Sequence, residues 1–240
     1  MARRPLSPFV TLWNRHVQLY SEVFSAALYE LSKLSSISGD EDAISEILCS
    51  ILSRVCFELG KSRNQDLQTP YWETPIQPVT GDELKGGKMG KRPDFTCKCI
   101  NPWADSHEKY EVALHVECKL LGYPTSATWI LNENYVKNGI KRFDSKVHEY
   151  GKRSDSGMMI GYIINMTPEE IESEVNNYHK KHAPEYPVIN FSFDTPALFK
   201  TRQDIKRKNV KPAFFEIFHF WVDLRDCYKP LNIKIENNGM

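Results

Sequence analysis

Met158-Met159-Ile160-Gly161-Tyr162-Ile163-Ile164, a run without a single charge, constrains the fold of this 240-residue chain more than any other stretch. A strand with one wet face alternates apolar and polar side chains, whereas a strand covered on both faces reads as unbroken apolar sequence. The run therefore predicts a buried central strand with a layer of structure on each side. Helical periodicity upstream supplies one layer. Leu12, Val17, Tyr20, Val23, Phe24, Ala27, Leu28, Leu31 and Leu34 recur at helical spacing over 11–36. Ser38-Gly39-Asp40 opens a second helix with acids in its first turn and a stripe from Ile44 to Leu59, which Gly60 is expected to stop.

Between these helices and the central run the pattern turns to sheet. Pro70 and the prolines after it place a short strand near 71–76 at a sheet edge, followed by a loop over 80–91. Phe95 to Ile100 and Glu111 to Leu121 read as two strands joined by the turn-rich Asn101 to His107. Tyr135, Val136, Ile140, Phe143, Val147 and Tyr150 predict a third helix over 133–150, ended by Gly151. Beyond the central run, Pro168 opens a helix through about His179, and strands near 187–193 and 213–224 enclose a basic loop. The expectation is one domain over 1–240, with a core at about 40–165, an N-terminal helix at 11–36 and a C-terminal extension at 166–240.

Two short motifs interrupt this apolar framework. Arg92-Pro93-Asp94-Phe95 opens one strand, and Val116-Glu117-Cys118-Lys119-Leu120 lies within the next. Successive strand residues point to opposite faces, so Glu117 and Lys119 share a face and Cys118 takes the other. If the two strands form a hairpin, Asp94 joins them, and two carboxylates beside a lysine suit a hard cation that activates water.

Helix, three strands, helix, strand, with Pro93-Asp94 on the second strand and Glu117-Cys118-Lys119 on the third, resembles the PD-(D/E)XK nuclease superfamily. The resemblance covers about residues 40–165. It implies an α/β, restriction-endonuclease-like αβββαβ core, with a central mixed sheet flanked by helices, an extra N-terminal helix and a C-terminal αββ extension. It further implies that Asp94 and Glu117 hold one or two Mg2+ ions, with Mn2+ as a substitute, and that Lys119 is the water-orienting base or stabilises the pentavalent transition state. Members of the superfamily often add an acid from the helix before the first strand. At about 100° per residue, Glu41 falls about 60° from the centre of the apolar stripe and Glu46 about 200° away, so Glu41 is the expected further ligand. Glu73 is a weaker alternative. An acid in a first turn also complements the helix macrodipole, which leaves Glu41 a structural reading as well.

Substrate contacts are expected from two places. Tyr135, Asn138, Lys141 and Arg142 surround Gly139, a costly helix residue unless something approaches closely; Tyr135 and Asn138 would steady the site while Lys141 or Arg142 meets a phosphate. Lys206, Arg207 and Lys208 lie in a basic run and would face nucleic acid. With 31 basic and 31 acidic residues the net charge is zero, so any such partner requires basic residues gathered locally.

Other features are read as structural. Cys97, Cys99 and Cys118 would pack on the reverse face, and His115 and His219 are expected to be satisfied core histidines. Gly81 to Met89 superficially resembles a phosphate-binding loop but has Gly87 where the lysine belongs. No apolar run reaches the roughly 18 residues of a membrane span. Few cysteines and no secretion-type start suit the cytoplasm. The expected activity is a Mg2+-dependent endonuclease acting on DNA, in restriction or antiphage defence, with a homodimer or regulatory partner protein in prospect. The rival is a catalytically inactive nucleic-acid-binding or assembly module with the same fold.

Overall fold

A six-stranded open mixed sheet organises the chain in the computed structural model, which describes residues 7–80, 90–193 and 196–230. Chain order runs α1 (Pro8–Leu31), β1 (Ile37–Ser38), α2 (Glu41–Arg63), β2 (Tyr71–Trp72), β3 (Phe95–Ile100) and β4 (Glu111–Leu121). It continues with α3 (Leu131–Asn134), β5 (Ser156–Ile163), α4 (Pro168–His182), β6 (Leu198–Lys206), β7 (Phe214–Asp223) and β8 (Tyr228–Lys229). The sheet order is β2-β3-β4-β5-β7-β6, while β1 and β8 form a separate two-stranded parallel pair. β3 and β4 form the expected antiparallel hairpin, with Phe95 opposite Val116. β5 runs parallel to both β4 and β7. All eight of its residues are buried, as its uncharged sequence requires.

Alternation along β4 divides the core in two. Val112, Leu114, Val116 and Cys118 pack with α1 and α2 on one face, together with Cys97 and Cys99. Leu121, Met159 and Ile163 pack on the other with Tyr135, Phe143, Ile171 and Val175. All six cysteines are free thiols, and Cys97, Cys99 and Cys118 are buried. Local chemistry fixes the helix starts: Ser7 caps α1, Asp40 caps α2, and Thr167 and Glu170 form a capping box on α4. Gly60 lies inside α2 rather than ending it; Asn64, in the left-handed region at φ 51°, supplies the stop.

Three expectations about elements need correction. The single helix over 133–150 is instead α3, a π-helical turn at Tyr135–Gly139 and a 3-10 turn at Ile140–Asp144. Residues 187–193 form no strand. Asn176 of α4 binds both backbone groups of Ile189, and Glu172 accepts from Phe191 N, so side chains satisfy this segment where a ladder would. The missing strand is β6, which incorporates the start of the run read as a basic loop. The glycine-rich stretch Gly81 to Met89 lies outside the described residues. Among the described residues, no helix is long and apolar enough to cross a membrane.

Candidate active site

β4 outlasts its hairpin partner, and the consequence is a carboxylate site. Pairing with β3 ends at Val116, five residues short of the end of β4 at Leu121. Backbone amides beyond that point need other acceptors, because a buried unpaired N–H costs as much as a lost hydrogen bond. Asp94, just before β3, accepts from Cys118 N. Glu41, in the first turn of α2, accepts from Leu120 N through Oε2 at 3.2 Å. Two acids thus line the strand edge where a third strand would otherwise lie.

The side chains of β4 complete the cluster. Lys119 Nζ lies 2.6 Å from Glu41 Oε1 and 2.8 Å from Glu117 Oε1. Arg142, in the 3-10 turn, also pairs with Glu117 Oε1. Glu117 is fully buried, and its second oxygen, Oε2, has no hydrogen-bond partner. Close approach is built in here: a Cβ on Gly139 would stand 2.5 Å from Met159 Cε and 3.5 Å from Lys119 Cγ. The π turn therefore presses the helix segment onto the Lys119 stem.

Burial and crowding set the electrostatics of the cluster. Burial, and then the charge of Glu117, push the Asp94 carboxyl well above its ordinary range; burial likewise raises Glu41. Desolvation pulls the Lys119 ammonium down, yet Glu117, Glu41 and Asp94 together hold it above its usual value. Lys119 is thus a fixed positive donor. Three carboxylates meet two side-chain cations, one carboxylate oxygen is orphaned, and an aspartate resists ionising. Among the described residues no group of three or more His, Cys, Asp or Glu is assembled to hold a metal. Mg2+ commonly takes one or two carboxylates and completes its octahedron with water and substrate phosphate, so Asp94 and Glu117 fit that ion and not an all-protein cage.

The other expected residues divide. Asn138 and Lys141 line an open groove of about 650 Å3 with Lys137, Arg142 and Lys146. Asn138 and Arg142 also line an adjoining groove of about 340 Å3 that holds Glu41, Lys119 and Trp129. Tyr135, expected near substrate, is fully buried; its hydroxyl meets His219 Nδ1 at 2.8 Å and its ring packs edge-on against Trp221. Arg207 is a second correction. It is 2% exposed, and its five N–H groups reach the carbonyls of Pro212, Phe143, Tyr150, Gly151 and Ser154. Lys206 and Lys208 are exposed, with Lys208 3.8 Å from Glu185, and neither lines either groove. His115 accepts from Gly151 N, burial lowers it to about 4, and it plays the structural part expected. Exposed Glu73 is not among the cluster's partners. Sequence reasoning missed the Arg142–Glu117 pair and Trp129, whose only sequence signal is a tryptophan within the polar turn 124–129.

Comparison with known protein families, curated proteins and solved structures yields no match to this chain.

Proposed function

We propose that this chain is a Mg2+-dependent nuclease of the PD-(D/E)XK, restriction-endonuclease-like kind, hydrolysing phosphodiester bonds in DNA in a defence setting such as restriction. The observation that carries the reading is the convergence of Asp94, Glu117 and Lys119 with Glu41, around the unpartnered Glu117 Oε2. Element order supports it: α2, β2, β3, β4, α3 and β5 follow one another as helix, three strands, helix, strand.

Each side chain has a part in that chemistry. Asp94 and Glu117 would hold the cation, which when bound lowers the pKa of its water and neutralises charge on the leaving oxygen. Lys119 orients the attacking water and stabilises the negative charge developing on the phosphoryl oxygens; raised above its ordinary range, it stands there as a hydrogen-bond donor. Glu41 fixes Lys119 from the other side. Arg142, about a quarter exposed at its side chain, presents a planar fork suited to a phosphate.

Arg142 and Lys119 already balance part of the carboxylate charge, an observation that supports the non-catalytic module. Incubation of plasmid, single-stranded DNA and RNA with Mg2+, Mn2+ or chelator separates the two. Metal-dependent cleavage is expected, lost on Asp94→Asn and reduced about 10²- to 10³-fold on Lys119→Ala. Activity in chelator, or full activity in either variant, would overturn the assignment.

A further inference from the structure

The two grooves meeting at the carboxylate cluster differ in chemistry, and the difference bears on the substrate. One arm carries Lys137, Lys141 and Lys146, all exposed and none with an ion-pair partner among the described residues. The acid in its wall, Asp144, is buried and spent: it accepts from Tyr186 and from the backbone amides of Lys208, Asn209 and Val210. In a chain of zero net charge, this arm is a local cationic track.

The other arm ends on an aromatic platform. Trp129 is 57% exposed, and its backbone is held by Ser126 Oγ at 3.0 Å and by Thr125 N at 3.1 Å. Trp129 lines the same groove as Glu41 and Lys119. Asp40 and Asp42 line this arm too, so phosphates are repelled there and drawn toward the lysines. Phosphates on one side and a flat apolar face on the other match a strand whose bases are unpaired. A duplex keeps its base faces within its own stack and leaves nothing for an indole to cover. Glu117 and Lys119 are also buried, 0% and 7% exposed, so a phosphate must enter the groove to meet them. A flexible single strand bends to do so more cheaply than a stiff duplex.

We propose that the substrate is single-stranded nucleic acid, its backbone running along Lys137, Lys141 and Lys146 to Arg142 and an unpaired base stacking on Trp129. The cutting of that strand rests on the nuclease reading; its binding does not. Fluorescence anisotropy in chelator, with labelled single-stranded DNA, single-stranded RNA and the matching duplex, tests the binding and shows which sugar is preferred. The single strand binds more tightly than the duplex. Trp129→Ala weakens it about five- to hundred-fold, and Trp129→Phe restores most of the loss. Replacing the three lysines by alanine lowers the slope of log affinity against log salt by about 2. Equal or tighter duplex binding, or an unchanged single-strand affinity in Trp129→Ala, overturns the proposal even if DNA is cleaved. Single-strand binding with these responses but no cleavage in Mg2+ or Mn2+ supports the groove and removes only the nuclease.

Discussion

Tyr135 donates to His219 Nδ1, so the His219 ring carries its proton on Nε2 and gives it to Gln203 Oε1 at 3.2 Å. Burial, reinforced by His179, lowers this imidazole from 6.5 to about 3. The folded ring stays neutral while the unfolded one gains a proton below pH 6.5, so stability falls as pH drops from 6.5 toward 3. At about 1.4 kcal/mol per pH unit, His219 accounts for about 2 kcal/mol lost between pH 7 and pH 5. His219→Asn, whose Oδ1 still accepts from Tyr135, is expected to be less stable at pH 7 but to lose about 2 kcal/mol less on acidification; urea unfolding at both pH values measures this. Residues of the candidate site were more legible than this network. Strand parity put Glu117 and Lys119 on one face, and helix geometry chose Glu41 over Glu46, because both are local relations. Arg207 was misread for the opposite reason. Its carbonyl partners at 143–154 are more than fifty positions away, and a basic run in sequence does not reveal that one member turns inward.

At the scale of elements, the segment after β4 departs most from its pattern. Apolar residues at helical spacing from Tyr135 to Tyr150 are all consistent with one helix, yet the backbone passes from α to π to 3-10 in fourteen residues, Leu131–Asp144. A π turn inserts a residue and shifts the face that follows it. Hydrophobic periodicity records which residues are apolar, not how many share a turn, and Val147 of the same stripe is exposed. Gly139, at the end of the π turn, meets the flexible end of Met159 first and the Lys119 stem next. Gly139→Ala should therefore cost only about 1 kcal/mol, since Met159 Cε can move. Gly139→Val directs its added methyls at a neighbour that has a part to play: the expected outcome is a larger fractional loss of cleavage than of thermal stability. Equal losses would reduce Gly139 to ordinary packing. The strand expected at 187–193 failed similarly, because Asn176 and Glu172 of α4 satisfy that backbone from outside any ladder.

For the molecule as a whole, the open sheet leaves two edges. β2, two residues long, guards one. β6 forms the other over nine residues, with Lys200, Arg202, Asp204 and Lys206 exposed on alternate positions. Charges so placed discourage edge-to-edge pairing with a second sheet. Replacing Lys200, Arg202 and Lys206 by threonine should promote self-association, read as a rise in mass by light scattering with concentration; an unchanged mass would mean that the edge is protected by other means. The division of the core carries a different consequence. Glu41 rides on α2, packed on one face of the sheet, while Glu117 and Lys119 project among the layer on the opposite face. The constellation therefore draws on both layers at once. On the proposed reading, a growing chain in which β5 and β7 have yet to appear holds every acid of the motif and still cuts nothing. Reactivity would then depend on both layers being packed at once, which safeguards a cell that must synthesise such a protein beside its own nucleic acid.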